Sequence, residues 1–109
     1  MPKVRQAKAQ VMGSLDKDII RRIVRAHINE VRSCYNASLT KNPNTSGRVN
    51  ITFEIGPDGK IKSSVVQSNS THDVPLGECI AKAVEKWKFP KPAGGGNVTV
   101  TYPFNLSPG

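Results

Sequence analysis

The residues of this chain that could carry chemistry are few and scattered. Cys34 and Cys79 are its two thiols, His27 and His72 its two imidazoles, and eight carboxylates complete the titratable set below neutral pH. A nucleophilic cysteine needs a neighbouring base or cation to draw off its proton, and the spacing forces none beside either sulfur. No Cys-x-x-Cys occurs, and the histidines fit no zinc spacing. Among the acids, Glu54 falls on a strand face, Asp58 in a turn and Asp73 at a helix start, each with a sufficient structural role. Catalysis asks for titratable groups that converge. These do not, so the expectation is a chain that is no enzyme and holds no metal or cofactor. His27 borders an apolar helical stripe with no carboxylate evident as its partner, and reads as a half-buried structural histidine.

The elements around these residues describe one small domain of 109 residues. Residues 1–13 read as a flexible basic lead-in, since no apolar face is sustained there, and the domain proper as residues 14–109. Apolar residues recur by three and four from Leu15 through Ile19, Ile23, Val24, Ile28, Val31, Cys34 and Tyr35 to Leu39, which predicts one long helix over 15–39. Val49, Ile51, Phe53 and Ile55 then alternate with polar residues. Gly56-Pro57-Asp58-Gly59 supplies a turn, and Ile61, Ser63 and Val65 follow, giving a β-hairpin. Asp73-Val74-Pro75 opens a second helix with the stripe Leu76, Cys79, Ile80, Ala83, Val84 and Trp87. Val98, Val100, Tyr102 and Phe104 alternate in a final strand. The expected fold is α+β, helix-strand-strand-helix-strand, with a three-stranded antiparallel sheet of order 2-1-3 and two helices on one face.

Pro103 has no N–H to give a neighbouring strand, so the final strand is expected at a sheet edge. An open edge accepts an extended segment of a partner, or of a second copy of the chain as a strand-swapped dimer. The predicted partner-binding residues are Asn97, Val98, Thr99, Val100, Thr101 and Tyr102. Cys34 and Cys79 both lie on stripes facing the same side of the sheet. They read equally as a bridge or as two buried thiols.

The formal net charge is +8, which favours acidic partners. The cations are spread over the lead-in (Lys3, Arg5, Lys8) and two helical segments (Lys17, Arg21, Arg22, Arg25, Arg32; Lys82, Lys86, Lys88, Lys91). Solvated helix faces explain them. A basic nucleic-acid-binding domain is the alternative, but Tyr35, Trp87, Tyr102 and the phenylalanines read as core, not as a stacking platform. No apolar run is long enough to span a membrane, and 1–13 lacks the apolar region of a secretory signal. The settings left open are the cytoplasm, or a piece of a longer secreted or anchored chain.

Gly47-x-Val49-x-Ile51-x-Phe53-x-Ile55, Asp58-Gly59-x-Ile61, Ala83-Val84-x-x-Trp87-x-Phe89-Pro90 and Val98-x-Val100-x-Tyr102-x-Phe104 together resemble the TonB carboxy-terminal domain family. The run from Ile20 to Tyr35 is similar to its AgmX/PglI-type branch. The resemblance covers about residues 14–106 and implies a periplasmic interaction module at the end of an inner-membrane-anchored, energy-transducing parent driven by a proton-powered motor. It implies a partner segment from an outer-membrane or periplasmic protein, added to the last strand along Asn97 to Tyr102. For the branch, it implies a place in a gliding-motility machine. An oxidising periplasm would also favour a Cys34–Cys79 disulfide.

Overall fold

The computed structural model describes residues 2–109. Its elements are β1 (Lys3–Gln6), β2 (Gln10–Met12), α1 (Lys17–Ala26), α2 (Ile28–Lys41), β3 (Gly47–Ile55), β4 (Ile61–Asn69), α3 (Val74–Val84) and β5 (Val98–Ser107), with a short 3₁₀ turn at Ala93–Gly95 before β5. The fold is α+β, as its sequence pattern implies. The order expected for the three central strands is present as β4-β3-β5, antiparallel throughout.

Two expectations are corrected. The sheet has five strands, because residues within 1–13 form β1 and β2, both antiparallel to β5 along its outer side. There are three helices, because His27 leaves helical geometry (φ −105°, ψ 10°) and divides the predicted long helix in two. The break is fastened from both sides. The His27 N–H donates to the carbonyls of Ile23 and Val24, and the His27 carbonyl accepts from the Glu30 N–H at 3.0 Å.

Local chemistry sets the remaining boundaries. The Asp16 carboxylate caps α1 by accepting from the Asp18 N–H at 2.7 Å. Asp73 caps α3 by accepting from the Leu76 N–H at 3.1 Å, and a proline stands in the first turn, where a missing N–H is harmless. The Gly56–Gly59 turn is closed by the Gly59 N–H on the Gly56 carbonyl. Gly59 has φ +84° and lies so close to the Phe89 carbonyl that a Cβ there would collide with it. The Phe89 N–H in turn donates to the Gly59 carbonyl at 2.9 Å, and the Phe89 ring stacks on Phe53. The Trp87-x-Phe89-Pro90 segment is therefore a clasp that joins the end of α3 to the β3–β4 turn.

Alternation along the strands decides the core. Val49, Ile51, Phe53, Ile55, Val98, Val100, Tyr102, Phe104 and Leu106 point to the helix side, where they meet Ile20, Val24, Val31, Tyr35, Ile80 and Val84. The opposite face carries polar cross-strand pairs: Thr52 with Thr101 at 3.0 Å, Asn50 with Ser68 at 2.7 Å, and Arg48 with Asn105 at 2.7 Å.

Candidate functional site: the outer side of β5

The sequence reading places the site on β5, and the structure puts Val98 to Tyr102 at the start of that strand with Asn97 exposed just before it. Val98, Val100 and Tyr102 are buried on the helix side, Thr99 is exposed and Thr101 half-buried. The expectation of an open edge is corrected. β2 lies across these residues with Gln10 opposite Thr101, Val11 opposite Val100 and Met12 opposite Thr99. β1 continues along the strand from Gln6 opposite Phe104 to Lys3 opposite Ser107.

Pro103 is tolerated between two neighbours for a specific reason. In an antiparallel strand the N–H and C=O of one residue point to the same neighbour, and the direction alternates along the chain. The Pro103 carbonyl accepts from the Ala7 N–H at 3.1 Å, so the proline nitrogen also faces the outer side. There β1 and β2 are separated by Ala7, Lys8 and Ala9, which stand opposite only Tyr102 and Pro103. This is a β-bulge, and the missing N–H falls at the gap in the ladder. By the same alternation Thr99 and Thr101 direct their N–H groups outward to β2, whereas Val100 and Tyr102 direct theirs inward to Phe53 and Ile51.

Val4, Ala9 and Val11 of the N-terminal segment pack half-buried against the core. The Gln6 side-chain amide donates to the Tyr102 hydroxyl at 2.8 Å and to the Arg21 carbonyl at 3.3 Å. Gly13, with φ +131° and no room for a Cβ beside Val98, lets the chain turn off the edge. The Ser14 carbonyl then accepts from the Ala93 N–H. Burial pushes the Tyr102 phenol up, against the Gln6 hydrogen bond and the field of Arg21 and Arg25. A cavity of about 700 Å³ opens where the bulge stands away from α1; Arg5, Lys8, Lys17, Asp18, Arg21, Arg25 and Tyr102 line it. Among the described residues no strand lies on the outer side of β4.

Cys34 and Cys79 are joined in a disulfide that ties α2 to α3 across 45 residues. His27 does have a carboxylate partner at helical spacing, contrary to the sequence reading. Its Nδ1 is 2.6 Å from Glu30 Oε2, and its ring stacks on Trp87 at 4.9 Å. Trp87 Nε1 donates to Glu30 Oε1 at 3.1 Å. Desolvation works to raise the Glu30 pKa, but the His27 and Trp87 hydrogen bonds, with His27 and Lys86 nearby, hold it below the ordinary glutamate value. The three side chains form a structural knot. Among the described residues no group of three or more His, Cys, Asp or Glu stands together as a metal site, and no helix is long and apolar enough to cross a membrane.

Short helices cross one face of an antiparallel sheet whose β5 strand carries the chain's own N-terminal strands on its outer side. Residues 38–107 match the family described as the Gram-negative bacterial TonB protein C-terminal. The chain belongs to this family, and so is a protein-interaction domain of the TonB-like type. Neither the curated proteins nor the solved structures contain a match to the chain.

Proposed function

We propose that the chain is the periplasmic interaction module of an inner-membrane-anchored, energy-transducing protein. Its partner is an extended segment of an outer-membrane or periplasmic protein, which pairs with β5 over Asn97 to Tyr102. The observation that carries this reading is the pairing of β2 with Thr99 to Thr101: this edge accepts a strand, and its present occupant is the chain's own residues 10–12. A partner would exchange with that occupant, taking over the outward N–H groups of Thr99 and Thr101 and the apolar seat of Val11. The disulfide suits an oxidising compartment such as the periplasm. The likeness of Ile20 to Tyr35 to the AgmX/PglI-type branch supports a parent protein in a gliding-motility machine.

The test is a titration of isotope-labelled protein with candidate periplasmic peptides, followed by amide NMR, with a DNA duplex as control. Peptide-induced shifts along Asn97 to Tyr102 and release of Gln10 to Met12 are expected. Met12→Cys with Thr99→Cys, which ties β2 to β5 by a second disulfide across a directly opposed pair, should weaken binding at least tenfold while the fold persists. Full binding by that folded variant would refute strand addition, and shifts at Arg21 and Arg25 caused by DNA alone would favour a nucleic-acid binder. The same exchange between two copies would give a swapped dimer, seen as a concentration-dependent mass in sedimentation.

A further inference from the structure

The exchange just proposed replaces one set of backbone hydrogen bonds by another of the same kind. Backbone pairing alone therefore gives a partner little advantage over β1 and β2, and side chains must decide. The charges at this edge are one-sided. Residues 2–12 carry Lys3, Arg5 and Lys8 and no acid. They lie against α1, which adds Lys17, Arg21 and Arg25 to the cavity that Arg5 and Lys8 also line; Asp18 is the cavity's one carboxylate. None of these five cations has a carboxylate within 4.0 Å, since the ion pair among the described residues is His27 with Glu30. The segment now on the β5 edge is thus held by Val4, Gln6, Ala9 and Val11 and opposed by its own charge.

We infer that residues 3–12 are a like-charged placeholder, and that the segment which displaces them is acidic, with carboxylates around the position Lys8 now occupies on the cavity that Lys17, Arg21 and Arg25 line. This rests on strand addition at β5 and names the chemistry of its partner. Each carboxylate would turn a repulsion into an attraction in a half-enclosed space, where screening is weaker than on an open surface. The selectivity is one of charge and carries over to association rate.

The probe is a synthetic copy of residues 2–12, in its native form and with glutamate in place of Lys8. Both are titrated into the full labelled chain at low salt, with amide shifts at Asn97 to Tyr102 as the readout. The acidic copy is expected to bind about tenfold more tightly, the size a few exposed charge pairs give, and to lose most of that advantage at about 0.5 M salt. In the Arg21→Glu, Arg25→Glu chain the preference should reverse. In the Arg22→Glu, Lys41→Glu chain, which has the same net charge but leaves the cavity residues intact, it should persist. Equal affinity of the two copies would overturn the charge inference and leave strand addition standing. So would a preference that follows net charge in both variants. Shifts at Arg21 and Arg25 without any at Asn97 to Tyr102 would overturn strand addition, and the inference with it. An independent reading comes from the chain itself: Lys8→Glu should slow amide exchange of Gln10 to Met12, and unchanged or faster exchange would refute a charge-opposed placeholder.

Discussion

The alternation of N–H direction along β5 makes two adjacent residues respond very differently to the same substitution. Thr99→Pro and Val100→Pro both force φ near −65° on an extended residue, so that strain is common to the pair. What differs is the hydrogen bond each removes. The Thr99 N–H faces Met12 of β2, at the rim of the sheet, and Thr99 itself is exposed. Losing that bond costs about 1 kcal/mol, and β2 can move away from the ring. The Val100 N–H faces Phe53, and both residues are fully buried. Its loss removes a similar bond and leaves the Phe53 carbonyl buried without a donor, at about 1–3 kcal/mol more. The proline ring also fails to fill the Val100 seat in the core, so the total reaches about 3 kcal/mol or above. For a small domain this is a large share of a total stability of roughly 5–15 kcal/mol. Urea unfolding followed by circular dichroism should therefore show Thr99→Pro with a modestly lowered midpoint and Val100→Pro with a much larger fall in its midpoint. Amide exchange in Thr99→Pro should speed up at residues 10–12 but not in β3. Equal losses in the two variants, or a Thr99→Pro chain with β2 as protected as before, would show that the outer side of β5 is not where the alternation puts it.

Replacing both Cys34 and Cys79 by alanine opens a closure of 45 residues, worth about 4 kcal/mol by the entropy of the unfolded chain; a loss under about 1 kcal/mol in urea unfolding would mean that α2 and α3 are held by packing alone. The Glu30 carboxyl sits below its ordinary value of 4.5 when folded. Its contribution is therefore fully present above that value and is lost as pH falls through the folded pKa, so unfolding from pH 6 to 3 should show less acid destabilisation in Glu30→Gln than in the parent, and parallel curves would refute the pairing. Gly59→Ala sets a Cβ against the Phe89 carbonyl at φ +84°; beyond about 1–2 kcal/mol for the left-handed backbone it should loosen the clasp, read as lost NMR protection of the Phe89 amide, and an unchanged Phe89 amide would count against the contact.

The parts of this fold that were legible in the sequence are those with one uninterrupted period. Val49 to Ile55 and Val98 to Phe104 keep strict alternation because each strand has one buried face, and the order β4-β3-β5 followed from the tight Gly56–Gly59 turn and the crossover through α3. Asp73 and Pro75 marked their helix because capping is local chemistry. The N-terminal strands escaped notice because the bulge at Ala7 to Ala9 shifts their phase: Val4 and Gln6 face inward before it, Ala9 and Val11 after it. Neither half alone is long enough to show a period. The helix break at His27 was hidden for a similar reason, since the apolar stripe runs on through it. The signal was Glu30, three residues along and off the stripe, which receives both His27 and Trp87. Val98 to Tyr102 were legible as strand residues, with Asn97 just before them, but the covering of their edge was not, because Pro103 reports only the direction of one missing N–H and says nothing of a neighbour that bulges around it.

That covering changes what an interaction domain of this kind must do to work. An open β5 would display the outward N–H groups of Thr99 and Thr101 beside a run of apolar residues, a template for any extended chain, including a second copy. Residues 3–12 satisfy those groups and shield Val100 and Tyr102 with Val11 and Gln6. A partner then gains only the difference between its own side chains and those of the occupant, so selectivity can exceed what a bare edge would provide, while affinity stays modest and reversible. The charge pattern gives that difference a direction. Apolar seats for Val4 and Val11 keep the occupant in register, and on the inferred charge pattern the cations of α1 that share the cavity with Lys8 lower its hold. The sheet's other outer side, that of β4, has no such occupant among the described residues and exposes Val65; its bulges opposite Asn50/Ile51 and Glu54/Ile55 twist the strand and break the regular spacing an incoming strand would need. The outer sides of β4 and β5 are thus protected by different means, one by irregularity and one by the chain's own N-terminal strands, and on the proposed exchange only the second is opened by a competing strand.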